Sequence, residues 1–196
     1  MSMKKKDENI PTVFFESQQD WEAWLSEHYA EPSGVWIKMA KKETGIASVT
    51  HVQALEGALC YGWIDGQRDS FDKQYFLQKF TPRRPKSTWS KINCEKVTTL
   101  IEAGRMQAAG LRQIELAKAD GRWDQAYDGQ RKATVPDDLQ SALNENPQAQ
   151  AFFETLNSVN RYAILFRVQT AKKPETRSAR ITKFVEMLTK GEKIYP

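Results

Sequence analysis

GWIDGQRDS (62–70) and YFLQKFT (75–81), joined by FDKQ (71–74), read as a β-hairpin. Alternation puts Trp63, Asp65, Gln67 and Asp69 on one face of its first strand. Pro82 and Pro85 follow at once, and because proline cannot donate to a ladder, the basic stretch PRRPKSTWSK (82–91) has to leave the sheet. Working outward, VWIKMA (35–40) alternates Val35, Ile37 and Met39 against Trp36 and Lys38 and predicts a further strand. Ser17 with Asp20, and Thr50 with Gln53, have capping-box spacing. They predict one helix bearing Trp21, Trp24, Leu25 and Tyr29, and another bearing Val52, Leu55 and Leu59 that ends near Gly62.

Beyond the hairpin the period becomes helical. Ile92, Val97, Leu100 and Ile101 precede Gly104, and Leu111 and Ile114 precede Gly121. Pro136 and Pro147 stand where a first helical turn tolerates proline, Ser158 is placed to cap a helix with Tyr162, Leu165 and Phe166, and Pro174 opens a helix carrying Ile181, Phe184, Val185 and Leu188. The fold class expected is α+β: a small antiparallel sheet with helices in the N-terminal part, and an all-helical C-terminal part. In domains, this predicts a frayed tail at 1–14, an α+β domain at 15–104 and a helical domain at 105–196 packed on it.

The chain's 196 residues suffice for one generous core or two small lobes, and six Trp, nine Phe and six Tyr argue for a folded protein. Cys60 and Cys94 form no disulfide framework and lack metal-ligand spacing, so free thiols in a reducing compartment are expected. No apolar segment follows the lysines of Met1–Asn9, and the longest apolar run, Tyr162–Phe166, is too short to span a bilayer. The expectation is a cytoplasmic protein. Only His28 and His51 are present, and no P-loop, GxSxG or GxGxxG motif occurs, so no metal and no cofactor is expected. The net charge of +4 is segregated: 79–105 holds 7 basic and 2 acidic residues, and 161–196 holds 9 and 3.

Two features carry candidate chemistry. Asp65, set between Trp63-Ile64 and Gly66, is expected to be partly buried, which a carboxylate tolerates only with a cation or several donors. Either Lys79, Arg83 or Arg84 pairs with it and pins the loop, or it serves as a base or as an anchor at a pocket mouth. Arg83 and Arg84 offer planar forks for phosphate or carboxylate, stiffened by the flanking prolines. Trp89 would wall the site, and a helix capped by Ser87, Thr88 or Ser90 would aim its first N–H groups inward. The ligand-binding set is therefore Trp63, Asp65, Arg83, Arg84, Trp89 and Ser90, taking a small anion without catalysis. One alternative is nucleic-acid association through 79–105 and 161–196, although Ile181, Phe184, Val185 and Leu188 claim a core face on the helix a DNA reader would need. Another is an enzyme with Asp65 as acid or base, beside Tyr61 or Cys60.

Three segments carry a family resemblance: CYGWIDGQRDSFDKQYFLQKFTPRRPKSTWSKIN (60–93), LIEAGRMQAAGLRQIELAKADGRWDQAYD (100–128) and FFETLNSVNRYAILFRVQTAKKPETRSARITKFVEML (152–188). Together they resemble the YdeI/OmpD-associated family, also labelled bacteriocin-protection proteins, from about Phe15 to the C-terminus. The resemblance implies a link to envelope stress or peptide-toxin tolerance. It implies no defined reaction and no catalytic residues to carry over.

Overall fold

A computed structural model describes residues 10–196. By contacts the chain divides into two compact units, the first running to Trp89 and resuming over Asn93–Gln125, the second comprising Ser90–Ile92 and Ala126–Pro196.

In the first unit, β1 (Thr12–Phe14), β2 (Val35–Ala40), β3 (Trp63–Ser70) and β4 (Tyr75–Pro82) form a sheet of order β1-β2-β4-β3. The hairpin and β2 pair antiparallel as expected. The sheet is mixed, however, because β1 adds a parallel edge, Val13 opposite Ile37. Thr12–Phe14 therefore corrects the frayed-tail expectation for the end of 1–14, since pairing with β2 orders it; 1–9 lie outside the described residues. Both capping boxes form, at Ser17 before α1 (Gln18–His28) and at Thr50 before α2 (His51–Cys60). The buried side of α2 is Ala54, Leu55, Ala58 and Leu59, while Val52 is exposed. Trp21, Leu25, Val35, Ile37, Trp63 and Phe80 are fully buried between these helices and one sheet face. Gly34 turns into β2 at φ 79°, and a Cβ there would stand 2.4 Å from the Phe80 carbonyl oxygen.

The expected alternation of β3 breaks at one place. The register runs Asp65–Phe80 and then Arg68–Gln78, so Gly66 and Gln67 form a bulge. The buried Gln78 side chain holds it, donating from Nε2 to the carbonyls of Gly66 (3.0 Å) and Gln67 (3.3 Å). Directly opposed residues share a face, so Arg68 and Ser70, and not Gln67 and Asp69, follow Asp65. Helices α3 (Lys91–Glu102) and α4 (Ala108–Ala119) end before Gly104 and Gly121, both at positive φ. The inward residues of α3 are Asn93, Val97 and Leu100, with Ile92 and Ile101 exposed.

The second unit contains α5 (Asp137–Asn144), α6 (Pro147–Thr155), α7 (Ser158–Gln169) and α8 (Pro174–Thr189), each near its expected place. The cap of α7 is Asn157, whose side chain accepts from Asn160 N–H at 2.9 Å; Ser158 is already helical. Leu139, Leu143, Phe153, Ile164, Phe184 and Leu188 centre its core. Two cations of the basic 161–196 segment are engaged inside the unit. Arg177 forks onto Asp138, and Arg180 donates to the Arg167 carbonyl.

Candidate functional site

The segment 82–90 is built as a clasp. Pro82 closes β4 opposite Trp63, and the Arg83 N–H then bonds the Gly62 carbonyl at 3.0 Å, which turns the Arg83 side chain inward. Its guanidinium carbon lies 3.5 Å from the Trp89 ring centroid, and Nη1 donates to the Thr88 carbonyl at 3.1 Å. Arg83 is 6% exposed and Trp89 2%. The Trp89 π-face and the Thr88 carbonyl replace part of the water that a buried guanidinium loses. From the chain after α4, buried Arg122 donates to the Ser87 carbonyl at 2.8 Å and is itself held by Asp120, while Trp123 packs on Trp89 with centroids 5.1 Å apart.

The six candidate residues do not converge. Trp63 is fully buried and donates its indole N–H to the Tyr29 carbonyl at 2.8 Å. Asp65 pairs with His51, Oδ2 to Nε2 at 3.2 Å, and not with Lys79, Arg83 or Arg84. The half-buried acid found its partner 14 residues earlier in the chain, on the first residue of α2. Arg84 is exposed, and only its backbone N–H is engaged, by the Ser87 hydroxyl. Ser90 is buried and belongs to the second unit, bridged to Tyr127. Arg83 stays with two of the others: it stacks on Trp89, which lies behind it, and lines one cleft with Trp63.

Trp63 and Arg83 line this open cleft of about 370 Å³ with Tyr29, Tyr61, Pro82, Arg112 and Gln113, and with Gly62, Ala109 and Leu116. No carboxylate is among the lining residues, whereas two are arginines. Arg112 is exposed and has no hydrogen bond or ion pair among the described residues. Sequence reasoning missed it, although Ala109, Arg112, Gln113 and Leu116 have the spacing of one helix face. Burial foremost pushes the Tyr61 phenol up from its ordinary value, with Glu22 and Cys60 adding to the effect, so its hydroxyl is a donor at neutral pH.

The nucleophile reading of Cys60 does not suit its surroundings. Burial pushes the thiol up to about 11; Arg105 opposes this, while Glu22 and Glu56 reinforce it. The thiolate is the reactive form, and at pH 7.5 it is scarce. Native protein should therefore react at Cys60 with an aromatic disulfide reagent roughly 100-fold more slowly than denatured protein, the rate rising with pH toward 11. Equal rates in the two states would contradict the burial account. Among the described residues no group of three or more His, Cys, Asp or Glu is arranged to hold a metal ion, and no helix is long and apolar enough to cross a membrane.

Residues 13–113 match the family described as Domain of unknown function (DUF8412), just over half of the chain. Residues 132–191 match the family described as Bacteriocin-protection, YdeI or OmpD-Associated. The chain belongs to the DUF8412 family and carries a YdeI/OmpD-associated domain. The second match lies over α5–α8, so the YdeI/OmpD resemblance is narrower than the span from Phe15 to the C-terminus, and GWIDG and FTPRRP fall within DUF8412. Every residue lining the Arg83–Arg112 cleft except Leu116 falls within the DUF8412 segment. No curated protein and no solved structure matches the chain at a significant level.

Proposed function

We propose that this DUF8412 protein binds a small anionic ligand, phosphate- or carboxylate-bearing, in the cleft lined by Trp63, Arg83 and Arg112. The observation that carries this is the pairing of two guanidinium-bearing residues with no lining carboxylate. One fork held in place before the ligand arrives lowers the ordering cost of binding, and Arg83 is already oriented by Trp89 and the Thr88 carbonyl. Arg112, exposed at the rim, supplies the second fork. Tyr29, Tyr61 and Gln113 offer neutral hydrogen bonds that fix its orientation. Arg84, Asp65 and Ser90 have no part in this site. A cytoplasmic setting belongs to the proposal and is supported by the free thiols of Cys60 and Cys94.

A thermal-shift panel of phosphate, pyrophosphate, nucleotides, sugar phosphates and citrate tests the reading. A ligand present at one hundred times its Kd stabilises by about 2.7 kcal/mol, which for a chain of this length is about 5–10 °C. At least one anion should reach that shift with the wild type, and Arg112→Ala should lose most of it while keeping its unliganded Tm. If every anion leaves the wild type unmoved, or stabilises Arg112→Ala equally, the cleft is not an anion site.

A further inference from the structure

A second cleft, of about 630 Å³, opens where β2 ends and α2 begins, and it shares no lining residue with the first. Its polar lining includes Lys41, Lys42, Thr50, His51 and Arg68, against one carboxylate, Glu43. The β3 bulge brings Arg68 to it. By inserting one extra residue, Gly66-Gln67 returns Arg68 to the sheet face that carries Asp65, where unbroken alternation would have sent it to the opposite face. Arg68 then sits over Phe76, its guanidinium carbon 3.8 Å from the ring centroid, and it has no hydrogen bond or ion pair among the described residues. The stacking fixes the fork and leaves its N–H edges unspent.

His51 completes the arrangement. Its Nε2 is 3.2 Å from Asp65 Oδ2, and His51 lines the cleft whereas Asp65 does not. With Nε2–H donated to the carboxylate, the ring is held in one orientation and Nδ1 is left for a partner. Lys41 is unavailable, since its ammonium already bonds the carbonyls of Asp72 (2.8 Å) and Lys73 (3.2 Å). Lys42 and Arg68 supply the unspent charge.

We propose that this cleft is a second, separate ligand site, for a small molecule bearing phosphate or carboxylate oxygens. Arg68 is its rigid fork, Lys42 its flexible counter-charge and His51 its oriented hydrogen-bond partner, with Asp65 as a positioning residue. Titration of ring-labelled histidine by NMR tests it on the full chain, with pyrophosphate and citrate as separate probes. His28, the other histidine, lines neither cleft and serves as the internal reference. His51 ring signals should shift saturably with at least one probe, pyrophosphate alone marking a phosphate site and citrate alone a carboxylate site. Arg68→Ala should weaken that binding about tenfold or more, because charge-assisted bonds to a fixed fork are lost. Asp65→Asn should alter the His51 tautomer pattern and weaken binding while leaving the fold unchanged. Arg112→Ala should leave these shifts untouched, which separates this site from the first. His51 signals that stay still with both probes, or that move equally in Arg68→Ala, would overturn the assignment.

Discussion

Trp21→Ala is expected to lower the unfolding free energy by about 3–5 kcal/mol, the range for emptying a large aromatic site in a core. The ring is fully buried and touches four others, with centroid separations of 5.2 Å to Phe15, 5.4 Å to Trp24, 5.7 Å to Phe80 and 6.3 Å to Trp63. Its indole N–H donates to the Ala54 carbonyl at 3.0 Å, so truncation removes a buried hydrogen bond as well as packing. The neighbours are themselves rigid rings and a helix backbone, which collapse poorly into a void. Gly57 shows how close that helix comes: a Cβ there would stand 3.0 Å from the Trp21 ring. Urea denaturation should show the full loss, with Trp21→Phe losing less. A change below about 1 kcal/mol would mean that Trp21 is not the keystone of the first unit.

Gly110→Ala is the second large expectation, and its origin is different. A Cβ at Gly110 would lie 2.2 Å from the Cys60 carbonyl oxygen and 2.8 Å from that of Leu59. Both obstacles are backbone, so no rotamer change relieves the clash, and α2 and α4 have to separate. That separation also threatens the bond from Gln107 N–H to the Cys60 carbonyl, 3.1 Å, which seats the start of α4. The destabilisation should be about 3 kcal/mol, the upper end of ordinary overpacking. There is a functional corollary. Arg112 rides on α4 two residues further on, so the anion-induced thermal shift should shrink in Gly110→Ala even where the protein remains folded. A variant with unchanged stability would mean that the two helices are not in backbone contact.

The parts of the fold written in local chemistry were legible. Ser17 with Asp20 and Thr50 with Gln53 announced α1 and α2, because a capping box is a contact within four residues. The hairpin was legible for a similar reason, its strands being bounded by a short polar turn and two prolines. What was not legible depends on partners distant in the chain. Thr12–Phe14 is too short to show alternation and is a strand only because β2 lies beside it. The bulge had a signal, a glycine inside a strand pattern at Gly66, but not the buried Gln78 amide that holds it.

The same division runs through the site. Two adjacent arginines look alike in sequence, and only the bond from Arg83 N–H to Gly62, across the hairpin, decides that Arg83 turns inward and Arg84 outward. Asp65 drew attention as an acid in need of a cation. Its partner, His51, is brought to it by the packing of α2 beside β3, which no spacing rule encodes. Arg112 stood in plain view as a cation on a helix face, and only the fold shows that this face borders Trp63 and Arg83.

The indole N–H resonances offer the most direct check on the anion cleft. The chain has six tryptophans, of which Trp63 bonds the carbonyl of Tyr29, a lining residue, while Trp21 bonds Ala54 away from the cleft. Titrating the best-binding anion of the thermal-shift panel should move the Trp63 signal saturably, leave Trp21 in place, and fail to move either in Arg112→Ala. An anion that stabilises the protein while Trp63 stays still, or that shifts Trp63 identically without Arg112, would contradict the two-arginine site.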